Sequence, residues 1–227
     1  MRTAAILPVK RFSAAKSRLG ASVEDALRAR LAQAMVADVL NALSQSRAIE
    51  RTVVVTREPT LQQVTSDADG VTLVEDTVED GQSAAVALGV QHALGEGFER
   101  VLCIPGDCPA LDPAELDQLL GESAEPVVIV PDRHGTGTNG LLLTPPDAIH
   151  PAFGPGSCER HRALAQDAGL DCDLAYPSSL LLDIDTGADL AALRARLAET
   201  TGAAAQRTRA VLGQSLAPDA IELENAG

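Results

Sequence analysis

Short apolar runs recur along the chain at residues 3–9, 52–56, 71–74, 101–105, 127–130 and 140–144, with amphipathic stretches between them. Most are continuously apolar instead of alternating, as expected of strands covered on both faces. Few architectures need such strands, and this pattern predicts an α/β fold with a mainly parallel central sheet and helices on both faces. A later run at 180–184 is expected to add an edge or crossover strand. In the stretch 24–46, Leu27, Leu31, Met35, Val39 and Leu43 recur four apart, one face of a helix. A second helix is expected over 83–95, with Ser83 as its N-cap. Asp112-Pro113-Ala114-Glu115 combines an N-cap, a proline at the first helical position and an acid at the third. Thr186 then opens a helix carrying Leu190, Leu193 and Leu197. No internal repeat interrupts this order. Residues 1–200 read as a single domain, and 201–227 as a helical or partly disordered tail with a frayed end.

Composition removes several partners. Hydrophobic residues make up 45% of the 227, enough for a substantial core. Aromatic residues are 2%, with no Trp, and the net charge is −14. A base-stacking surface needs rings, and phosphate backbones would be repelled, so nucleic acid is not expected. The N-terminal apolar run is too short for a secretory signal, and nothing approaches the roughly 18 apolar residues needed to span a membrane. Cys103, Cys108, Cys158 and Cys172 lack C-x-x-C spacing and read as reduced thiols, which places the chain in the cytoplasm.

Ligands of open parallel sheets bind at the carboxyl ends of strands, so the residues after each apolar run carry the chemistry. Four segments stand out. In PVKRFSAAKSRLG, and just before it, Arg2, Lys10, Arg11, Lys16 and Arg18 are 5 of 18 basic residues, and no acid precedes Glu24. Such a cationic island suits a triphosphate, or is a solvated basic loop. It contains neither G-x-G-x-x-G nor G-x-x-x-x-G-K-[ST]. In VLCIPGDCPAL, an apolar run delivers Asp107 to the ligand edge, where it either holds Mg²⁺ or caps a turn. In LLDIDT, Asp183 and Asp185 are two apart on a strand-like run and project to one side. Two such carboxylates repel unless a cation neutralises them. They are either solvated acids at an exposed strand end or, together with Asp107, a three-carboxylate Mg²⁺ site. In PDRHGTGTNGLLL and FGPGSCERH, glycines permit close approach, and Thr136, Thr138, Asn139 and Ser157 offer polar groups to a phosphate or carboxylate. Ser157 also reads as an N-cap, and helix N-termini attract anions. His134 and His161 read as ordinary loop or helix-surface histidines.

Taken together, LPVKRFSAAKSRL, GDCPAL, DRHGTGTNGLLL, FGPGSCERH and LDIDT resemble the guanylyltransferase family of coenzyme F-420 (deazaflavin) biosynthesis, from about residue 3 to 200. The resemblance implies a Rossmann-like nucleotidyltransferase fold. It implies a Mg²⁺-dependent reaction of GTP with phosphoenolpyruvate, or in relatives 2-phospho-L-lactate, that releases pyrophosphate. The product, a guanosine diphosphate diester, then passes to the transferase acting on the deazaflavin precursor. Asp107, Asp183 and Asp185 match the metal-binding acids. Thr138, Gly154 and Ser157 match positions that hold the acceptor, and Lys10, Lys16 and Arg18 fall where the nucleotide's phosphates are gripped. The segment 79–83 is placed near guanine or ribose. Molybdenum-cofactor nucleotidyltransferases share the fold but open with a glycine-rich loop, which is missing here. A nucleotide-binding protein without turnover is the reading from another class.

Overall fold

The structure is a computed structural model that describes residues 1–14, 19, 24–61, 69–199 and 204–214. Seven strands form one sheet in the order β3-β2-β1-β4-β6-β5-β7: β1 (Thr3–Val9), β2 (Arg51–Thr56), β3 (Val71–Glu75), β4 (Arg100–Cys103), β5 (Val127–Pro131), β6 (Thr138–Leu143) and β7 (Cys172–Leu174). All neighbours pair in parallel except β6, which runs antiparallel to both β4 and β5. That reversal matters for function. An antiparallel strand brings its beginning, Thr138 and Asn139, to the edge where the parallel strands end.

The helices are α1 (Asp25–Gln45), α2 (Gly81–Gly95), α3 (Pro113–Glu122), α4 (Ser157–Asp167), α5 (Gly187–Glu199) and α6 (Gln206–Gln214). Successive residues of the buried strands supply two cores, as a period of two demands. Ala5, Leu7 and Val9 pack with α1 and α3, through Val36, Val39, Leu43, Leu116 and Leu120. Ala4 and Ile6 pack on the other face with Val86 and Val90 of α2 and Ala165 of α4. A third cluster joins Leu31 and Met35 of α1 to Leu190, Leu193 and Leu197 of α5 and Leu212 of α6. Helix α1 is therefore buried on two sides. Its expected stripe splits, Leu31 and Met35 turning to α5 while Val39 and Leu43 meet the sheet. The α6 backbone is tied to α1 by Asp38, whose carboxylate accepts from Arg207 N at 3.1 Å and Thr208 N at 2.8 Å.

The structure corrects several local expectations. The run 180–184 is no strand. Leu180 and Ile184 are buried, but the backbone here is met by side chains instead of a ladder. Asn139 Nδ2 donates to Leu180 O at 2.8 Å, and Ser179 N donates to Glu115 at 2.7 Å. Glu115 is thereby spent on this segment and not on a capping box. The edge strand is β7 instead. Helix α2 begins at Gly81, because the turn after β3 delivers the chain early; Ser83 Oγ donates to Phe153 O at 3.5 Å. Asp112 does cap α3, accepting from Ala114 N. Ser157 is the first residue of α4, whose N-cap is Gly156 in the left-handed conformation.

Candidate active site

The carboxyl edge of the sheet opens into a cleft of about 880 Å³ that reaches from β3 to α4. Its acidic centre is assembled from two distant segments. The turn after β4 supplies Asp107, with Gly106 packed so closely on α1 that a Cβ would lie 2.9 Å from Val36 Cγ2. Ile184 N donates to Asp107 O at 3.1 Å, which draws the 183–185 segment alongside. Carboxylate oxygens of Asp107, Asp183 and Asp185 then all lie within 4.8 Å of one another. The two later acids reach one place because of this backbone tie, and not through strand geometry. Asn139 Nδ2 donates to Asp183 Oδ1 at 3.2 Å. Burial, and then the Asp107 charge, push the Asp183 carboxyl up against that hydrogen bond. A hard divalent cation fits this donor set, since it relieves the repulsion and takes oxygen ligands.

Asp189 of α5 holds Asp185 in place. Its Oδ2 accepts from Asp185 N, Thr186 N and Thr186 Oγ1 at 3.1, 2.7 and 2.8 Å. Its Oδ1 pairs with Arg133 of the β5–β6 turn at 2.5 Å. Burial alone would raise its pKa, but the bonds from Thr186 and Asp185 outweigh burial and lower it. Sequence reasoning missed Asp189. Thr186-x-x-Asp189 has the spacing of a capping box, which was the available signal. Asn139, expected to face a ligand, lines the cleft and also orients Asp183.

Thr138, Gly154 and Ser157 converge on the wall formed by β6 and the N-terminus of α4. Gly154 has φ +112°, a conformation that excludes side chains, and Cys158 N donates to Thr136 O at 3.1 Å, joining the two loops. The start of α4 directs its positive end at the cleft, which favours an anion there. His161 is no surface histidine: it is wholly buried beneath this wall. His134 is exposed beside Arg133.

The opposite wall holds Lys10 and Arg11. Thr56 Oγ1 donates to Val9 O at 2.8 Å and Phe12 N donates to buried Glu58 at 2.8 Å, so the exit from β1 is fixed and both cations face the cleft. Lys16 and Arg18 lie outside the described residues. Arg2 is not part of this island; it sits at the far end of β1, paired with Glu50 at 2.8 Å. In the 79–83 segment, Glu79, Gly81 and Gln82 line the cleft, and Glu79 pairs with Arg11 at 3.0 Å and Arg57 at 3.4 Å. Asp76, at the end of β3, also lines it and accepts from Glu79 N at 2.9 Å. No local motif marks Arg57 or Asp76 in the sequence. Among the described residues, no helix is long and apolar enough to cross a membrane.

Residues 3–203 match the family described as guanylyl transferase CofC like. A phosphoenolpyruvate guanylyltransferase of Conexibacter woesei is 50% identical over 95% of this chain and 97% of its own. A 2-phospho-L-lactate guanylyltransferase of Methanothermobacter thermautotrophicus is 31% identical over 84% of this chain and 83% of its own. Among solved structures, a putative nucleotide-diphospho-sugar transferase from Desulfovibrio desulfuricans superposes with a TM-score of 0.73 at 18% identity, covering 95% and 96% of the two chains. The nucleotidyltransferase fold expected from the sequence is therefore present.

Proposed function

The chain belongs to the CofC-like guanylyl transferase family, and from that premise we propose that it condenses GTP with phosphoenolpyruvate, giving enolpyruvoyl-2-diphospho-5′-guanosine and pyrophosphate. The observation that carries the reaction is one cleft with a three-carboxylate cluster at its centre, cations on one wall and an anion-accepting helix start on the other. The 50% identical relative of that name supports the acceptor.

The residues divide the work. The acceptor's phosphate monoester has a second pKa of about 6, so at neutral pH it is already a nucleophile and needs no general base. Thr138, Ser157 and the Gly154 backbone hold that acid against the start of α4. Lys10, joined by Lys16 and Arg18, grips the phosphates of GTP and offsets the repulsion between two anionic substrates. Asp107, Asp183 and Asp185 would hold Mg²⁺. When bound, that ion supplies charge neutralisation for the phosphates and for departing pyrophosphate. Asp189 and Asn139 keep Asp185 and Asp183 in register for it. Glu79, Gly81 and Gln82 are positioned to approach guanine or ribose.

Residues 1–200 are the catalytic unit, and the described part of the segment after them packs on α1 and α5 through α6. Four free thiols suit a reducing compartment, and we place the enzyme in the cytoplasm. Its diester product passes to the transferase that acts on the deazaflavin precursor. Pyrophosphate release from GTP and Mg²⁺ with phosphoenolpyruvate tests the reading, in the presence of a partner that consumes the product. The 2-phospho-L-lactate arm tests the alternative that the archaeal relative's name supports. Turnover with 2-phospho-L-lactate alone reassigns the acceptor. Silence with both acids, from folded protein, turns the assignment to a molybdenum-cofactor-type enzyme or a nucleotide-binding protein without turnover.

A further inference from the structure

His161 is 0% exposed, lies beneath the acceptor wall, and has no part in the reaction as just described. Both of its ring nitrogens are engaged. The backbone N–H of Ala152 donates to Nε2 at 2.9 Å, and Nδ1 lies 3.0 Å from Thr138 Oγ1. A backbone N–H can only donate, so Nε2 carries no hydrogen. Burial, aided by the charge of Arg160, brings the imidazole pKa down to about 4, and the ring is neutral near pH 7. A neutral ring has one hydrogen, which must then sit on Nδ1. Thr138 Oγ1 is therefore an acceptor towards His161, and its own hydrogen has to point elsewhere. Among the described residues His161 is the only hydrogen-bond partner of this hydroxyl, and Thr138 lines the cleft.

We propose that His161 is a positioning residue that fixes Thr138 as a hydrogen-bond donor directed into the cleft, so that the hydroxyl selects an anionic oxygen of the phosphorylated acid. The same ring secures the facing loop. It accepts from Ala152, and it meets Phe153 edge-on with centroids 5.1 Å apart. Phe153 precedes Gly154, so one buried side chain sets the spacing between both segments that meet the acceptor. Arg160 reinforces the loop by donating to Ala152 O at 3.0 Å and Pro155 O at 3.1 Å.

The ligand named here rests on the proposed function; the tautomer does not. Long-range proton–nitrogen NMR of histidine-labelled protein reads it directly, with the His161 signal identified by its loss in His161→Asn. The expected result is a hydrogen on Nδ1. A hydrogen on Nε2 overturns the positioning role whatever the substrate is. Kinetics give the second arm. His161→Leu keeps the packing but removes the donor to Thr138, and should raise the acceptor KM about tenfold while kcat and the KM for GTP move less than about twofold. His161→Asn puts an amide nitrogen near the place of Nδ1 and should restore most of the loss. Thr138→Val should cost as much as His161→Leu, and the double variant no more than either. An acceptor KM unchanged in His161→Leu, or losses that multiply in the double variant, would sink the idea. Absence of turnover in the wild-type chain removes the proposed reaction instead, and the tautomer then decides the positioning role alone.

Discussion

On one side of the cleft Thr138, Asn139, Ser157 and His161 are buried, and distances of 2.8–3.2 Å to named partners hold Thr138, Asn139 and His161. On the other, Lys10, Arg11, Arg57 and Glu79 stand in solvent, and the last three meet in exposed ion pairs. The contrast follows from dielectric. Buried polar groups are unscreened, and leaving one unpaired is costly, so a network of them settles into one arrangement. Exposed pairs contribute little and are weakened by salt. Under the proposed assignment, the acceptor and carboxylate wall is thus set before substrates arrive, whereas the exposed wall exchanges its ion pairs for the nucleotide's phosphates.

The harshest way to break this contrast is at the carboxylates. Asp107→Asn should lower turnover by at least about a hundredfold. It should leave the melting temperature unchanged or raised, because it removes charge repulsion from the centre. Mg²⁺ at 100 times its dissociation constant should stabilise the wild type by about 2.7 kcal/mol and this variant by far less. Thermal melts with and without the ion check both points, and a wild-type melt indifferent to Mg²⁺ would remove the metal assignment.

Next in size is Asp189→Ala. It touches neither substrate in the proposed reaction, yet it releases the backbone of Asp185 and Thr186 and strands Arg133. Metal affinity should fall about 10- to 100-fold, with a stability loss of about 1–3 kcal/mol. Metal titration followed by urea unfolding separates the two effects.

A loss of stability that vanishes at neutral pH and grows only in acid sharpens the buried side. The folded His161 titrates at about 4 against an ordinary 6.5, so between these values the unfolded chain binds more protons. Its stabilising contribution is complete above pH 6.5, is lost as pH falls, and is gone below the folded value, about 3 kcal/mol in all. Asp183, pushed the other way, contributes with opposite sign. The histidine's share is therefore the difference between wild type and His161→Asn in urea unfolding across pH. Equal pH slopes in the two proteins would contradict it.

On the exposed wall the expected change is smallest. Glu79→Gln breaks pairs with Arg11 and Arg57, and because those pairs stand in solvent the melting temperature should barely move, and less still in high salt. The KM for GTP should be the kinetic constant that responds. A loss as large as that of Asp189→Ala would erase the distinction between the walls.

Much of the layout was legible in the sequence because strands buried on both faces must be continuously apolar; all six early runs became strands, within two residues at each end. The three acids were legible as candidates because each follows an apolar segment, and they do meet. The reversal of β6 was not legible, since a buried strand reads the same in either direction. Nor was the non-strand path of 180–184, where Asn139 and Glu115 supply the hydrogen bonds that a ladder would otherwise give. His161 misled because a helical histidine carries no mark of the side it faces.

Local chemistry, written residue by residue, determined by itself the α/β class, the apolar strands, the Asp112 cap and the acids, cations and glycines at the strand ends. Tertiary structure alone decided which of them act together. Ile184 reaching back to Asp107, Asp189 clamping Asp185, and His161 bridging Thr138 to Ala152 are contacts between segments from 4 to 77 residues apart. Their pairing depends on which buried polar groups find partners once the sheet has closed over them.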